Sequence, residues 1–274
     1  MSILIDSFTL LGPNGVLATD IHMVPKDVVR KGTIVFAHGY KGFKDWGSWH
    51  VMGDVLAESG WEFVIFNFSH NGHLSSDMMN CTDESSWSKN TYSIEKTDLT
   101  FMLTHFRALC SSQDKLVVMG HSRGGGIAAL AASDVKVDKL VLLASVSDLG
   151  SRFPEEAELK LWKETNELIV SNGRTGQSLS HPFSFYEDFI NNRDALDIQR
   201  AIRSLYCPLL VIHGKDDIAV PTTEGGQIVR WAVQGEYYEI SNTGHTFNTS
   251  HPCNSNDLPI GASVLVKKVI AFLR

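Results

Sequence analysis

Residues 115–130, KLVVMGHSRGGGIAAL, contain a serine that could act as a nucleophile. Ser122 stands in GHSRG at 120–124, between an apolar, β-like run and a helix-like run of small residues. A serine hydroxyl is a weak nucleophile that needs a nearby base and must stand clear of the backbone, as a sharp strand-to-helix turn would hold it. We expect Gly120 and Gly124 because a side chain at either position would collide with neighbouring backbone. The G-x-S-x-G pattern is weak on its own, so the surrounding elements must decide its meaning.

Strand-like and helix-like segments alternate around this turn. Residues 3–10 and 16–24 flank Gly-Pro-Asn-Gly and predict an antiparallel pair. Continuous apolar runs predict strands buried on both faces of a parallel sheet, at 32–39, 61–68, 115–120, 139–146 and 208–214, with a shorter edge strand at 237–241. Helical periodicity predicts helices at 48–59, around the stripe from Leu99 to Cys110, and at 262–273. Repeated strand–helix–strand units imply helices on both faces of the sheet.

Residues 149–205 interrupt this alternation. They contain no convincing strand but include two helix-like stretches, PEEAELKLWKETNELIV and SFYEDFINN. The segment is too long for a crossover and too short for an independent domain. We therefore expect a helical cap insertion at 149–205 over one end of a core made of 1–148 and 206–274.

Four motifs in order resemble those of the α/β-hydrolases. They are AHGY at 37–40, GHSRG at 120–124, HGKDDIAVP at 213–221 and GH at 244–245. The chain is most similar to the esterase and serine-peptidase-like branch, which includes cinnamoyl and feruloyl esterases and relatives of dienelactone hydrolase. The resemblance covers nearly the whole chain. It implies an α/β-hydrolase fold with a mostly parallel eight-stranded sheet, helices on both faces and a small helical cap.

The resemblance also implies an acid and a base for Ser122. The acid would be Asp217, which orients the base, with Asp216 and Asp148 as alternatives. The base would be His245, in the loop before the final helix, with His251 as the alternative. The chain order serine, aspartate, histidine is the order this fold uses.

Two backbone N–H groups would form the oxyanion hole. By the same resemblance they belong to Tyr40 and Arg123, and because they are backbone groups the side-chain identities carry little information. His38 is expected to be a structural hydrogen-bonding residue and not a second base.

Aromatic residues of the insertion have two interpretations. Trp162, Phe183, Phe185 and Tyr186 could line an acyl or aromatic pocket, or they could attach the insertion to the sheet. The sequence does not separate these interpretations.

No metal or other cofactor is expected. His70 and His73 lack a nearby carboxylate cluster. The segment around them departs from the more usual glycine-rich loop of the family.

Composition narrows the classes of partner. The formal net charge of -7 argues against nucleic acid and anionic membranes. Neither a signal peptide nor a membrane span is expected, because no basic N-terminal region precedes a long apolar run. Four scattered cysteines match no metal spacing and predict free thiols in the cytoplasm. The sequence is compatible with a homodimer.

The sequence therefore predicts a cofactor-free serine hydrolase that cleaves carboxylic esters of small or medium-sized substrates through an acyl-enzyme on Ser122. Serine in place of aspartate argues against dehalogenase and epoxide-hydrolase chemistry. The alternatives are a peptidase, amidase or thioesterase with the same triad, or a non-catalytic member of the fold that binds a ligand.

Overall fold

The computed structural model describes residues 3–73, 77, 80–173 and 175–274. Strands in these ranges are β1 (Ile5–Leu11), β2 (Val16–His22), β3 (Gly32–Ala37), β4 (Trp61–Phe66), β5 (Lys115–His121), β6 (Lys139–Leu143), β7 (Leu168–Ser171), β8 (Ser178–His181), β9 (Leu209–Gly214) and β10 (Gly235–Ile240). Eight of them form one sheet in the order β1-β2-β4-β3-β5-β6-β9-β10. The pairs β1–β2 and β2–β4 are antiparallel, and the other pairs of this sheet are parallel. This confirms the predicted opening pair and the predicted parallel strands.

Helices connect the strands and cover the sheet. They are α1 (Trp49–Glu58), α2 (Glu84–Lys89), α3 (Tyr92–Leu109), α4 (Arg123–Asp134), α5 (Glu156–Thr165), α6 (Ser184–Asn191), α7 (Ile198–Ser204), α8 (Thr222–Trp231) and α9 (Ile260–Leu273), with a 3-10 turn at Gly150–Arg152. The predicted stripe on α3 is buried from Leu99 to Phe106, while Cys110 lies just beyond the end of the helix. The predicted helices at 48–59 and 262–273 correspond to α1 and α9.

Strand β3 explains why the central runs are continuously apolar. All six of its residues are buried. Ile34 and Phe36 join the core under α1 and α9, whereas Val35 and Ala37 join the core under α3 and α4. Successive side chains of a strand point to opposite faces, so a strand covered by helices on both faces has no polar side.

The insertion contains a hairpin, so the expectation that it has no strand is wrong. Strands β7 and β8 pair antiparallel, with Leu168 opposite His181. Each strand has only four residues and part of each is exposed, so the local pattern is weak. Tertiary contacts hold the hairpin instead: Leu179 packs on Trp87, and Trp162 Nε1 donates a hydrogen bond to the carbonyl oxygen of His181 at 2.8 Å.

The end of the insertion packs against the core. The side chain of Ile198 on α7 lies against Gly126 on α4. The division into a core of 1–148 and 206–274 and a cap of 149–205 stays a prediction.

Two further features concern the whole described chain. Over its described ranges, no helix has the length and apolar character needed to cross a lipid bilayer. Cys81, Cys110, Cys207 and Cys253 all carry free thiols.

Candidate active site

Ser122 lies between the end of β5 and the start of α4 and has a strained backbone. Its φ is 57° and its ψ is -123°, a conformation that side chains with a Cβ rarely adopt. Its N–H donates to the carbonyl oxygen of Leu143 at 2.9 Å, and its own carbonyl accepts from the N–H of Gly125 at 3.0 Å. These bonds hold the turn that presents the hydroxyl.

Glycines allow the backbone to close around this turn. A Cβ on Gly120 would lie 2.2 Å from the carbonyl oxygen of Gly124, and a Cβ on Gly124 would lie 2.3 Å from that of His38. The expected collisions are therefore confirmed. A Cβ on Gly39 would lie 2.9 Å from Cβ of Ser122, so the AHGY loop passes directly beside the nucleophile.

The structure brings Ser122, His245 and Asp217 together from distant parts of the chain. His245 Nε2 lies 2.9 Å from Ser122 Oγ, and His245 Nδ1 lies 2.8 Å from Asp217 Oδ2. The Asp217 side chain is fully buried, and that of His245 is 21% exposed. This geometry lets the imidazole exchange a proton with the hydroxyl while the carboxylate orients the ring.

The environment of Asp217 favours its ionised form. The N–H groups of Ala219 and Val220 donate to Oδ1 at 2.8 and 2.9 Å. His213 Nε2 lies 3.2 Å from Oδ2. Burial by itself would raise the pKa of this carboxyl, but hydrogen bonds from His213 and His245 outweigh it and hold the pKa well below its usual range.

The alternative acid and base lie elsewhere. Asp216 and Asp148 are exposed, and Asp148 Oδ1 accepts from the N–H of Gly150 at 2.8 Å. His251 Nδ1 accepts from the N–H of Gly47 at 3.0 Å. The hydrogen-bonded series that includes Ser122 is formed by His245 and Asp217.

Two supporting histidines were missed by the sequence interpretation. His121 Nε2 lies 2.9 Å from the carbonyl oxygen of His245. Burial, with a contribution from His245, lowers the pKa of His121 to about 3, so its neutral ring can donate to that carbonyl. His213 contacts the acid. Each histidine lies inside a motif that carries another predicted site residue, Ser122 for His121 and Asp217 for His213. This position in the motif is the sequence signal that could have found them.

The predicted oxyanion-hole residues flank the nucleophile. Tyr40 follows β3 in the loop beside Ser122, and Arg123 is the first residue of α4, where backbone N–H groups have no partner within the helix. His38 Nδ1 lies 2.9 Å from the carbonyl oxygen of Gly39, and the His38 ring packs edge-on against Phe68.

A cavity of about 230 Å³ opens beside Ser122 and His245. The side chains of Trp46 and Trp49 form an aromatic part of the cavity wall, and neither residue was predicted from the sequence to lie there. The insertion contributes Asn172 and Gly173, which lie in the connection between β7 and β8.

The aromatic residues proposed for the pocket lie in the packing of the insertion. Trp162 and Phe185 are 1% and 5% exposed, and Phe183 and Tyr186 pack on the same core. Phe153 contacts the rings of Trp162, Phe185 and Tyr186. None of the four lines the cavity, so their position matches the interpretation in which they attach the insertion to the sheet.

The histidines considered for a metal have other neighbours. His70 Nδ1 lies 2.7 Å from Ser69 Oγ, and the His73 ring packs on Phe43. Among the residues that the structure describes, the potential ligand set is a different one, Asp20, Asp45 and His50. The ammonium of Lys44 contacts both carboxylates of that set.

Comparisons with known proteins agree with this geometry. A family model described as the alpha/beta hydrolase fold matches residues 32–177, just over half of the chain. The chain belongs to the α/β hydrolase fold family. Among curated protein sequences, no match was found for this α/β hydrolase.

Solved structures extend the likeness to nearly the whole chain. A putative hydrolase from Agrobacterium vitis S4 is 17% identical, with a TM-score of 0.74 and coverage of 99% of this chain and 100% of that one. Est1E from Butyrivibrio proteoclasticus with ferulic acid bound is 16% identical, with a TM-score of 0.72 and coverage of 97% of each chain. A dienelactone hydrolase from Anabaena variabilis is 14% identical, with a TM-score of 0.64 and coverage of 98% of this chain and 96% of that one. The resemblance stated from the motifs is confirmed, and the findings support a hydrolase activity.

Proposed function

We propose that this α/β hydrolase is a serine hydrolase that cleaves carboxylic esters of small or medium-sized substrates. The observation that carries the proposal is the hydrogen-bonded series Ser122 Oγ, His245 and Asp217, with separations of 2.9 and 2.8 Å. The series ends at a strained serine beside an aromatic-lined cavity. A reactive hydroxyl, a base and a space for substrate therefore meet at one point.

The proposed reaction has two halves. Ser122 Oγ attacks the ester carbonyl carbon and His245 Nε2 takes its proton, while the N–H groups of Tyr40 and Arg123 bind the oxyanion. His245 then protonates the leaving alcohol, which leaves an acyl group on Ser122. A water molecule, activated by His245, hydrolyses this acyl-enzyme. Asp217 stays ionised throughout and orients His245.

The substrate class rests on the cavity and on the neighbours. Trp46 and Trp49 offer aromatic surface for an acyl or alcohol group. One of the similar structures holds ferulic acid, an aromatic acid of the kind that hydroxycinnamate esters release. A cytoplasmic location is part of the proposal, as the four free thiols favour a reducing compartment.

A fluorophosphonate probe tests the nucleophile. The folded wild-type protein is expected to be labelled, and Ser122→Ala is expected to lose the label. Equal labelling of Ser122→Ala, or an unlabelled folded wild-type protein, would contradict the proposal.

A substrate panel tests the bond. Values of kcat/KM on p-nitrophenyl and hydroxycinnamate esters are expected to exceed those on aminoacyl amides and acyl thioesters by about tenfold or more. Faster turnover of an amide or a thioester would move the assignment to a peptidase, amidase or thioesterase with the same triad.

A further inference from the structure

The side chains of the two predicted oxyanion-hole residues stack on each other. The guanidinium carbon of Arg123 lies 3.7 Å from the centroid of the Tyr40 ring. The rings of Tyr92 and Phe185 lie 4.9 and 5.7 Å from the same carbon. Arg123 starts α4 and Tyr40 follows β3, so this contact joins two separate elements on either side of Ser122. From the sequence, no role is expected for these side chains.

The Arg123 side chain is buried at a cost in solvation. Arg123 is 8% exposed and its charge partner Glu95, on α3, is 5% exposed. The Arg123 guanidinium and Glu95 Oε1 are 3.4 Å apart, and Asn90 Nδ2 donates to the same oxygen at 2.8 Å. A buried ion pair adds little net stability, because desolvation of both charges offsets their attraction. A stacked, planar guanidinium does hold its neighbours in one orientation.

The insertion fixes the other side of the stack. Tyr40 Oη lies 2.9 Å from His181 Nε2, at the end of β8. The Trp87 ring stacks on Tyr40 and on His181, with centroid separations of 5.3 and 5.0 Å. Burial, together with the nearby Arg123 charge, lowers the pKa of His181 to about 3 and keeps this ring neutral. Tyr40 is therefore held between the insertion and Arg123.

We propose that the side chains of Tyr40 and Arg123 are positioning groups, whose stack fixes the distance and direction of the two backbone N–H donors of the oxyanion hole. Donors must lie about 2.7–3.1 Å from the oxyanion, so a small shift of either element weakens them. The inference rests on the proposed function, since it concerns the transition state of that reaction. It assigns the hairpin β7–β8 a part in catalysis through His181 and Tyr40.

Substitutions at Arg123 test the stack without removing its N–H donor. Arg123→Met is expected to lower kcat about 10- to 100-fold with KM within about threefold, which is less than the loss of a whole donor. Arg123→Lys keeps the charge but loses the planar group, so an intermediate loss is expected. Arg30→Met is the matched control, because Arg30 pairs with Glu62 and Asp114 near the start of β3, at the opposite end of the strand from the site. It is expected to keep wild-type kcat.

Two substitutions at Tyr40 separate the ring from the hydroxyl. Tyr40→Leu removes the stack and is expected to match the kcat loss of Arg123→Met. Tyr40→Phe keeps the ring on Arg123 and loses only the bond to His181, so its kcat is expected to fall, but by less than that of Tyr40→Leu.

A second readout distinguishes positioning from a general loss of structure. Phenylboronic acid forms a tetrahedral adduct on the serine and places an oxygen in the oxyanion hole, whereas the product alcohol is a neutral ground-state ligand with no oxygen for that hole. In Arg123→Met, the Ki of phenylboronic acid is expected to rise in parallel with the loss of kcat, while the Ki of the product alcohol stays unchanged. Equal weakening of both inhibitors would overturn the proposal, as would an equal kcat loss in Arg30→Met at the same melting temperature.

The outcomes separate this inference from the proposed function. A wild-type protein that is not labelled by fluorophosphonate and does not hydrolyse esters would overturn both. A labelled, active wild-type protein, with Arg123→Met and Tyr40→Leu at wild-type kcat, would overturn the positioning role alone.

Discussion

Two hydrogen-bonded networks of histidines and carboxylates differ in what lies at their ends. The first joins Asp217 through His245 to the strained hydroxyl of Ser122, beside a cavity. The second pairs a carboxylate and a histidine just as closely, with His22 Nδ1 at 2.7 Å from Asp54 Oδ1. It continues through His50 and Asp45 to Lys44 and Asp20.

The second network ends at an ion pair. The Lys44 ammonium and His50 bond to Asp45, and although burial alone would raise the Asp45 pKa, these bonds lower it. In the proposed mechanism, an aspartate–histidine pair alone is therefore not sufficient for nucleophilic catalysis. The strained serine and the open space beside it make the difference.

Removing one carboxylate from each network gives the largest contrast. Asp217→Asn is expected to lower kcat by about three to four orders of magnitude, because the amide cannot support the imidazolium or hold the required tautomer of His245. Asp54→Asn keeps the shape of the second network and is expected to retain wild-type kcat. Ester turnover of both variants, with thermal melting to verify folding, tests this. Near-normal turnover in Asp217→Asn would move the acid to another residue.

Acid is expected to destabilise the protein through two buried histidines, His121 beside the first network and His22 in the second. Burial lowers the pKa of His121 to about 3 and also lowers that of His22. The unfolded chain binds these protons below about pH 6.5, whereas the native state binds each of them only at a lower pH. The stability that both histidines contribute is therefore fully present above that pH and falls as pH decreases, by up to about 1.4 kcal/mol per pH unit for His121.

Substitution of each histidine sharpens the comparison. His121→Asn is expected to flatten the pH dependence of the free energy of unfolding between about pH 6.5 and 4, and His22→Asn to flatten it just below about pH 6.5, both measured by urea titration. His121→Asn is also expected to lower kcat, since His121 supports the backbone of His245, whereas His22→Asn leaves kcat unchanged. An unchanged slope in both variants would contradict the neutral state of these rings.

The smallest effect concerns the cavity itself. Gly173 lines the cavity, and a Cβ there would meet no atom of the described residues within 4 Å, so Gly173→Leu can narrow the space without a clash at Cβ. We expect KM for the preferred ester to change about three- to tenfold with kcat within about twofold. Gly226→Leu on α8, where a Cβ also meets no described atom within 4 Å, is the control and is expected to leave KM unchanged. An unchanged KM in Gly173→Leu would place the substrate elsewhere.

Much of the fold and the reacting set could be predicted because their signals are local. Continuous apolar runs marked the buried strands, and the spacing of apolar residues marked α3. The glycines around Ser122 predicted positions where a side chain would clash with neighbouring backbone, and the structure confirms those clashes. The hairpin β7–β8 was not predicted, because its two four-residue strands are held by contacts with Trp87 and Trp162, which lie outside the hairpin.

The sequence by itself determined the α/β hydrolase fold, the tight turn at Ser122 and a short set of acids and bases in chain order. These properties follow from periodicity and steric limits that act over a few residues. Only the tertiary structure decided that Asp217 and His245 meet Ser122, that Trp46 and Trp49 line the cavity in place of the aromatics of the insertion, and that Tyr40 stacks on Arg123. Each of these depends on contacts between segments far apart in the chain, and no local pattern encodes such a distance.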